Sequence, residues 1–136
     1  MPLVSELLEK PSTLTAGSKY TAMNGVIYLG AGVLLIVWPG ATQTLFIDRA
    51  FVGDEQGLVR VVGLTVVVIG WLYLFGGRSN ARQIVAASVV DRIIIVPAVL
   101  VPLAIAGVFP HLLIAFAILD PALAVGAWLI LRRKER

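Results

Sequence analysis

Four ionisable side chains fall inside stretches too apolar to be anything but buried: Arg60, Asp91, Arg92 and Asp120. Asp91 and Arg92 stand side by side in the run SVVDRIIIVPAVLVP at 88–102. If that run crosses a bilayer, each charge near mid-depth costs about 2.5–3.5 kcal/mol to insert, so each needs a partner. An arginine fork satisfies a carboxylate through two parallel hydrogen bonds, which makes Arg92 with Asp120 the expected pair. Asp91 points about 100° round the helix from Arg92, towards a different neighbour. Arg60 or Asn24 is the expected partner there, and Ser88 lies one turn before it.

The chemistry open to such a cluster is of two kinds. It is either a polar clasp that fixes helix order and register, or the lining of a cavity that binds the polar group of an amphipathic ligand or relays a proton. Pro97, Pro102 and Pro121 favour a cavity, because each removes a backbone donor at membrane depth and the freed carbonyls must find partners or face a cavity. Nothing in the spacing marks a catalytic residue. There is no cysteine, no histidine pair and no glycine-rich loop between a strand and a helix, so a thiolate site, a triad, a metal centre, a phosphate loop and a dinucleotide fold are not expected. No cofactor is expected either. The single histidine, His111, lies in a short turn and reads as interfacial rather than as a ligand.

The elements that must position these residues are membrane spans. Of 136 residues 59% are hydrophobic and 14% charged, and the mean hydropathy is +0.95; a soluble domain carries about a quarter charged residues. The reading is an all-α membrane protein, residues 1–136 forming a single four-helix transmembrane bundle with spans at about 20–38, 58–75, 83–106 and 112–131. Trp38-Pro39-Gly40 ends the first span. Gly25 and Gly32 are seven apart in it, and Gly63, Gly70 and Gly77 repeat the interval in the second, so each offers a flat seam for a neighbouring helix. Arg60, one turn ahead of Gly63, is expected on that same protein-facing side. Asp120 looks out from a small-residue face made by Ala117, Ala124 and Ala127. At 1.5 Å per residue, Asp91, Arg92 and Asp120 all fall about 13 Å from a boundary in a core about 30 Å thick, and so share a level.

Residues 1–19 are expected to form a short interfacial helix, with Leu3, Val4, Leu7 and Leu8 on one edge, stopped by Pro11. Glu6 and Glu9 stand where a secretory signal needs basic residues, so the segment is expected to be retained. The connection at 40–57 mixes Leu45, Phe46, Ile47 and Phe51 with Asp48, Arg49, Asp54 and Glu55, which suggests a half-buried loop helix over the bundle. Orientation follows from the cations. Lys10, Lys19, Arg78, Arg82, Arg132, Arg133, Lys134 and Arg136 fall on one side and only Arg49 and Arg60 on the other. Eight against two predicts a multi-pass protein of the plasma (inner) membrane with both termini cytoplasmic. Clustering of the basic residues at span ends argues against a nucleic-acid partner.

Trp38-Pro39-Gly40, Arg60 to Gly63, Gly70, Arg92, the turn from Gly107 to Pro110 and the acidic Asp120 together resemble the small bacterial four-helix membrane proteins grouped as DoxX-like or BphX-like. The resemblance runs over about residues 20–131. It implies a four-helix bundle and, in some relatives, an accessory role beside membrane redox or aromatic-degradation systems. The charged positions carry over as shared residues without a catalytic role. Three functions follow from the sequence as expectations. The first is a non-enzymatic accessory or assembly subunit whose partners are the bilayer and a homo-oligomer or larger membrane complex. The second is a binder or carrier of a hydrophobic small molecule through the cluster Asn24, Arg60, Ser88, Asp91, Arg92 and Asp120. The third is a small proton-coupled transporter built on Asp120.

Overall fold

Helix boundaries follow the local signals closely. A computed structural model describes residues 2–9 and 13–133, all of whose regular structure is helical. The helix-stopping Pro11 and the cations Lys10, Lys134 and Arg136 lie outside the described residues. In order the elements are α1 (Pro2–Leu8), α2 (Ala16–Val37), α3 (Ala41–Thr44), α4 (Glu55–Arg78), α5 (Arg82–Val90), a π-helical turn (Asp91–Ile95), α6 (Val96–Ile105) and α7 (Pro110–Arg133). Helices α2, α4, the continuous segment Arg82–Ile105 and α7 are each long and apolar enough to cross a membrane. Thr15 starts α2, its hydroxyl accepting from the Ser18 N–H. Asn80, in the left-handed region at φ 60°, ties the chain before α2 to the turn after α4 by accepting from Thr15 N–H and donating to the Thr13 carbonyl.

The distribution of side chains is inverted relative to a soluble protein. Ser18, Thr21, Asn24, Ser88, Arg92 and Asp120 are buried, while Val26, Leu64, Leu72, Ile94 and Ile118 are exposed. Hydrocarbon surroundings account for both halves of that pattern: aliphatic side chains are at home in lipid, and polar ones are driven inward.

α2 and α4 meet backbone to backbone. A Cβ added to Gly63 would stand 2.8 Å from the Gly32 carbonyl oxygen, and one on Gly70 would stand 2.5 Å from the Leu29 nitrogen. One on Gly77 would meet the Ala22 nitrogen at 2.5 Å. The two glycine heptads are therefore the two sides of one antiparallel seam.

Arg60 corrects the expectation. It is exposed, because the inward face of α4 is narrowed to Val59 and the glycines and a three-residue step falls about 60° short of a full turn.

Apolar packing inside the bundle gathers at its two ends. Leu35, Val59, Phe109 and Leu112, with Phe46, Phe51 and Phe116 against them, fill one end. Val85, Val89 and Ala127, with Tyr20 and Leu131, fill the other. The first end is closed by the α3–α4 connection. Asp48 reaches from that connection to the start of α7, its carboxylate accepting from the N–H groups of His111 at 2.9 Å and Leu112 at 2.8 Å. These are orphan donors of a helix N-terminus, where a carboxylate is also favoured by the helix dipole. Arg49 stacks 4.8 Å from the Phe109 ring centre and pairs with both oxygens of Glu55, which raises the guanidinium above its usual range. His111, read as isolated in sequence, has its Nδ1 3.0 Å from both the Ile47 carbonyl and Asp48.

Candidate intramembrane site

Between the two apolar ends lies a polar layer, and the helix that builds it is broken for a physical reason. Pro97 has no N–H, and its ring presses on the carbonyl four residues back. The segment answers with a π turn at Asp91–Ile95, in which the Val96 N–H bonds the Asp91 carbonyl. Such single π turns widen a helix by one residue and re-aim its side chains. Asp91 and Arg92 open this turn.

Arg92 is 1% exposed. Its Nε donates to the Ser88 carbonyl at 3.1 Å and its Nη2 to the Ser88 hydroxyl at 3.1 Å. The guanidinium carbon lies 5.1 Å from the centre of the Tyr73 ring, within cation–π range. Nη1 has no protein partner. The expected fork onto Asp120 is not made: among the described residues the hydrogen-bond donor to Asp120 is the Tyr28 hydroxyl. A tyrosine from α2 occupies the space that the arginine was expected to reach, and Arg92 stays folded back on its own helix.

Asp91 corrects the second expectation. It meets neither Arg60 nor Asn24; the Tyr73 hydroxyl approaches it at 3.4 Å, a long hydrogen bond. Tyr28 and Tyr73 pack edge to face with ring centres 5.6 Å apart, which links the two carboxylates through an aromatic pair. Arg92 lies within electrostatic reach of Tyr28, Tyr73 and Asp120. The structure thus brings Ser88, Asp91, Arg92 and Asp120 into one layer and adds Tyr28 and Tyr73, whose only sequence signal was a hydroxyl inside an apolar span. Arg60 is left out.

Asn24 is fully buried on α2, yet both its amide atoms lack a protein partner, as do the hydroxyls of Ser18 and Thr21 on the same helix. The interhelical hydrogen bond expected of Asn24 is not formed. Each buried polar group left unpaired costs about 1–3 kcal/mol.

Two grooves flank this layer in the fissure between α4 and the third membrane helix. One, of about 310 Å³, runs between Val62, Ile69, Val99 and Phe116 and has Asp120 in its wall. The other, of about 550 Å³, lies nearer the chain termini between Trp71, Tyr73, Ile84 and Ala87, with Asp91 in its wall and Leu7 of α1 at its edge. Neither wall carries an arginine or lysine.

The Ser88 hydroxyl donates to the Val85 carbonyl and has no base beside it. Among the described residues no three histidine, aspartate or glutamate side chains gather as a metal site. The chain matches no protein-family model, no curated protein and no solved structure.

Proposed function

We propose that this chain is an integral membrane protein that binds, and carries within the bilayer, a hydrophobic small molecule bearing one polar group. One observation carries the reading. An apolar groove of about 310 Å³ opens sideways between α4 and α6 and presents a single carboxylate, Asp120, in its wall. A packed interior there would have left only a clasp. Drug-sized ligand sites have this character, mostly apolar with few fixed polar groups, and begin at about this size. The Nη1 of Arg92 and the amide of Asn24, buried without hydrogen-bond partners, are further polar groups inside the bundle.

In this reading the bilayer is the plasma (inner) membrane of a bacterium, in keeping with the DoxX-like or BphX-like resemblance. Lys19, Arg78, Arg82, Arg132 and Arg133 all belong to helix ends on the side of the chain termini, which supports a cytoplasmic placement of both. α1 lies at that interface, where Arg78 reaches the Leu8 carbonyl at 3.3 Å. The α3–α4 connection lies half-buried at the opposite face. The accessory-subunit reading draws less support, because the glycine seam that would dock another protein is used up between α2 and α4.

The test is native mass spectrometry of the protein released from nanodiscs, wild type beside Asp120→Asn. A co-purifying small molecule present in the wild type and lost in the variant is the expected result. Identical bare masses for both proteins return the cluster to a structural clasp and overturn the reading.

A further inference from the structure

We infer that the ligand's polar group is a cation, so that the molecule bound is a lipophilic amine, with one carboxylate-headed groove for it on each side of the polar layer. This rests on the binding role proposed above and names the chemical class of its ligand.

The argument is one of charge placement. The layer holds two carboxylates, Asp91 and Asp120, against one guanidinium, Arg92. With all three ionised it carries net negative charge, and because Arg92 makes no ion pair within 4.0 Å with either carboxylate, each carboxylate can pair with one monovalent cation in its own groove. The carboxylates, not the guanidinium, form the groove walls: Asp120 in one and Asp91 in the other. Arg92 is bonded twice to Ser88 and lies against the Tyr73 ring, within electrostatic reach of Asp120 but in ion-pair contact with neither carboxylate among the described residues. Neither carboxylate has a cationic partner within 4.0 Å among the described residues. Each has one hydrogen-bond donor, and that donor is a neutral tyrosine hydroxyl.

Asp120, 93% buried, and the half-buried Asp91 each accept only a phenol hydroxyl among the described residues and make no ion-pair contact, and charges at such depth are stable when paired. An anionic head would meet like charge in either groove, and a neutral alcohol would leave the net charge standing. A zwitterionic lipid headgroup brings its own anion and likewise leaves it standing. The remaining walls are aliphatic and aromatic, with Val62, Ile69, Val99 and Phe116 beside Asp120 and Trp71 and Ile84 beside Asp91, which suits an alkyl or aryl tail.

The experiment uses the full chain in phosphatidylcholine nanodiscs and three probes of equal chain length, dodecylamine, dodecanol and dodecanoate, with adducts counted by native mass spectrometry. The expected result is up to two dodecylamine adducts and none of the other two probes. Asp91→Asn and Asp120→Asn should each remove one adduct, with apparent affinity at that groove falling by at least about tenfold, as for loss of a buried charge partner. Asp120→Glu, which keeps the charge, should retain the adduct. If Asp120→Asn fails to fold, Val99→Phe narrows the same groove from its lipid-facing side and should remove the same adduct. Undiminished dodecylamine binding in the folded Asn variants overturns the inference. Retention of dodecanol or dodecanoate without the amine also overturns it while leaving the binding role intact. Retention of none of the three overturns it and counts against the binding role as well.

Discussion

Helix α4 packs on its two neighbours in opposite ways. Against α2 it has no side chain to interpose at Gly63, Gly70 and Gly77, where the backbones come together and even a methyl group would strike main-chain atoms. Against the third membrane helix it stands off, leaving grooves of about 310 and 550 Å³ with a carboxylate in each. The first contact is the kind that holds helices together where lipid supplies no hydrophobic drive between them. The second is a fissure that the chain has every means to close, since larger aliphatic side chains in place of Val62 or Val99 would fill it. One face of a single helix therefore secures the bundle while the other is kept open. A polar layer sits beside the open one.

Bulk added to the two faces of α4 should have opposite consequences. Gly70→Val should destabilise the protein by at least about 3 kcal/mol, because the clash is with the Leu29 nitrogen and the Gly25 carbonyl and no rotamer relieves it. Thermal unfolding in mild detergent, followed by size-exclusion chromatography, reads this directly; a normal melting point would mean that the seam is looser than its geometry. Next in size is the capping carboxylate. Asp48→Ala leaves two N–H groups of α7 without their acceptor and should lower stability by about 1–2 kcal/mol. Hydrogen exchange confined to the first turn of α7 and the 45–54 stretch would locate the loss.

On the open face, Val62→Phe places an aromatic ring at a position 44% exposed in the groove wall. Its expected effect on stability is within about 0.5 kcal/mol, with loss of any groove ligand. A large loss of stability there would show the fissure to be tight packing after all. Smallest is Arg60→Gln. Arg60 is exposed and outside the polar layer, so neither stability beyond about 0.5 kcal/mol nor ligand retention should change. A ligand lost in that variant would restore Arg60 to the site.

Much of the framework was legible before any coordinates. Apolar runs bounded by Pro39-Gly40, by the Gly107 to Pro110 turn and by arginines mark four helices, because hydropathy and helix-breaking chemistry are local properties. The glycine heptads announced a close helix contact, since only a regular interval keeps small residues on one side. The candidate site was half legible. Ser88, Asp91, Arg92 and Asp120 do share a layer, as their depth in the spans requires. Their partners were not foreseen, because a partner depends on direction around the helix as well as depth. Asp48 escaped notice for a different reason: the helix it caps begins more than sixty residues away in sequence, and no local pattern links the two.

Residue order alone marks four helices long and apolar enough to cross a membrane, with ionisable groups near the middle of two of them. Composition and spacing are enough to say so, since lipid tolerates few backbone solutions. Packing in three dimensions is what brings Asp120 to Tyr28, turns Asp91 towards Tyr73 and folds Arg92 back onto Ser88. Hydropathy fixes depth, whereas a partner depends on direction around each helix, and the π turn at Asp91–Ile95 further rotates α6 relative to α5 by about 100° while leaving depth almost unchanged.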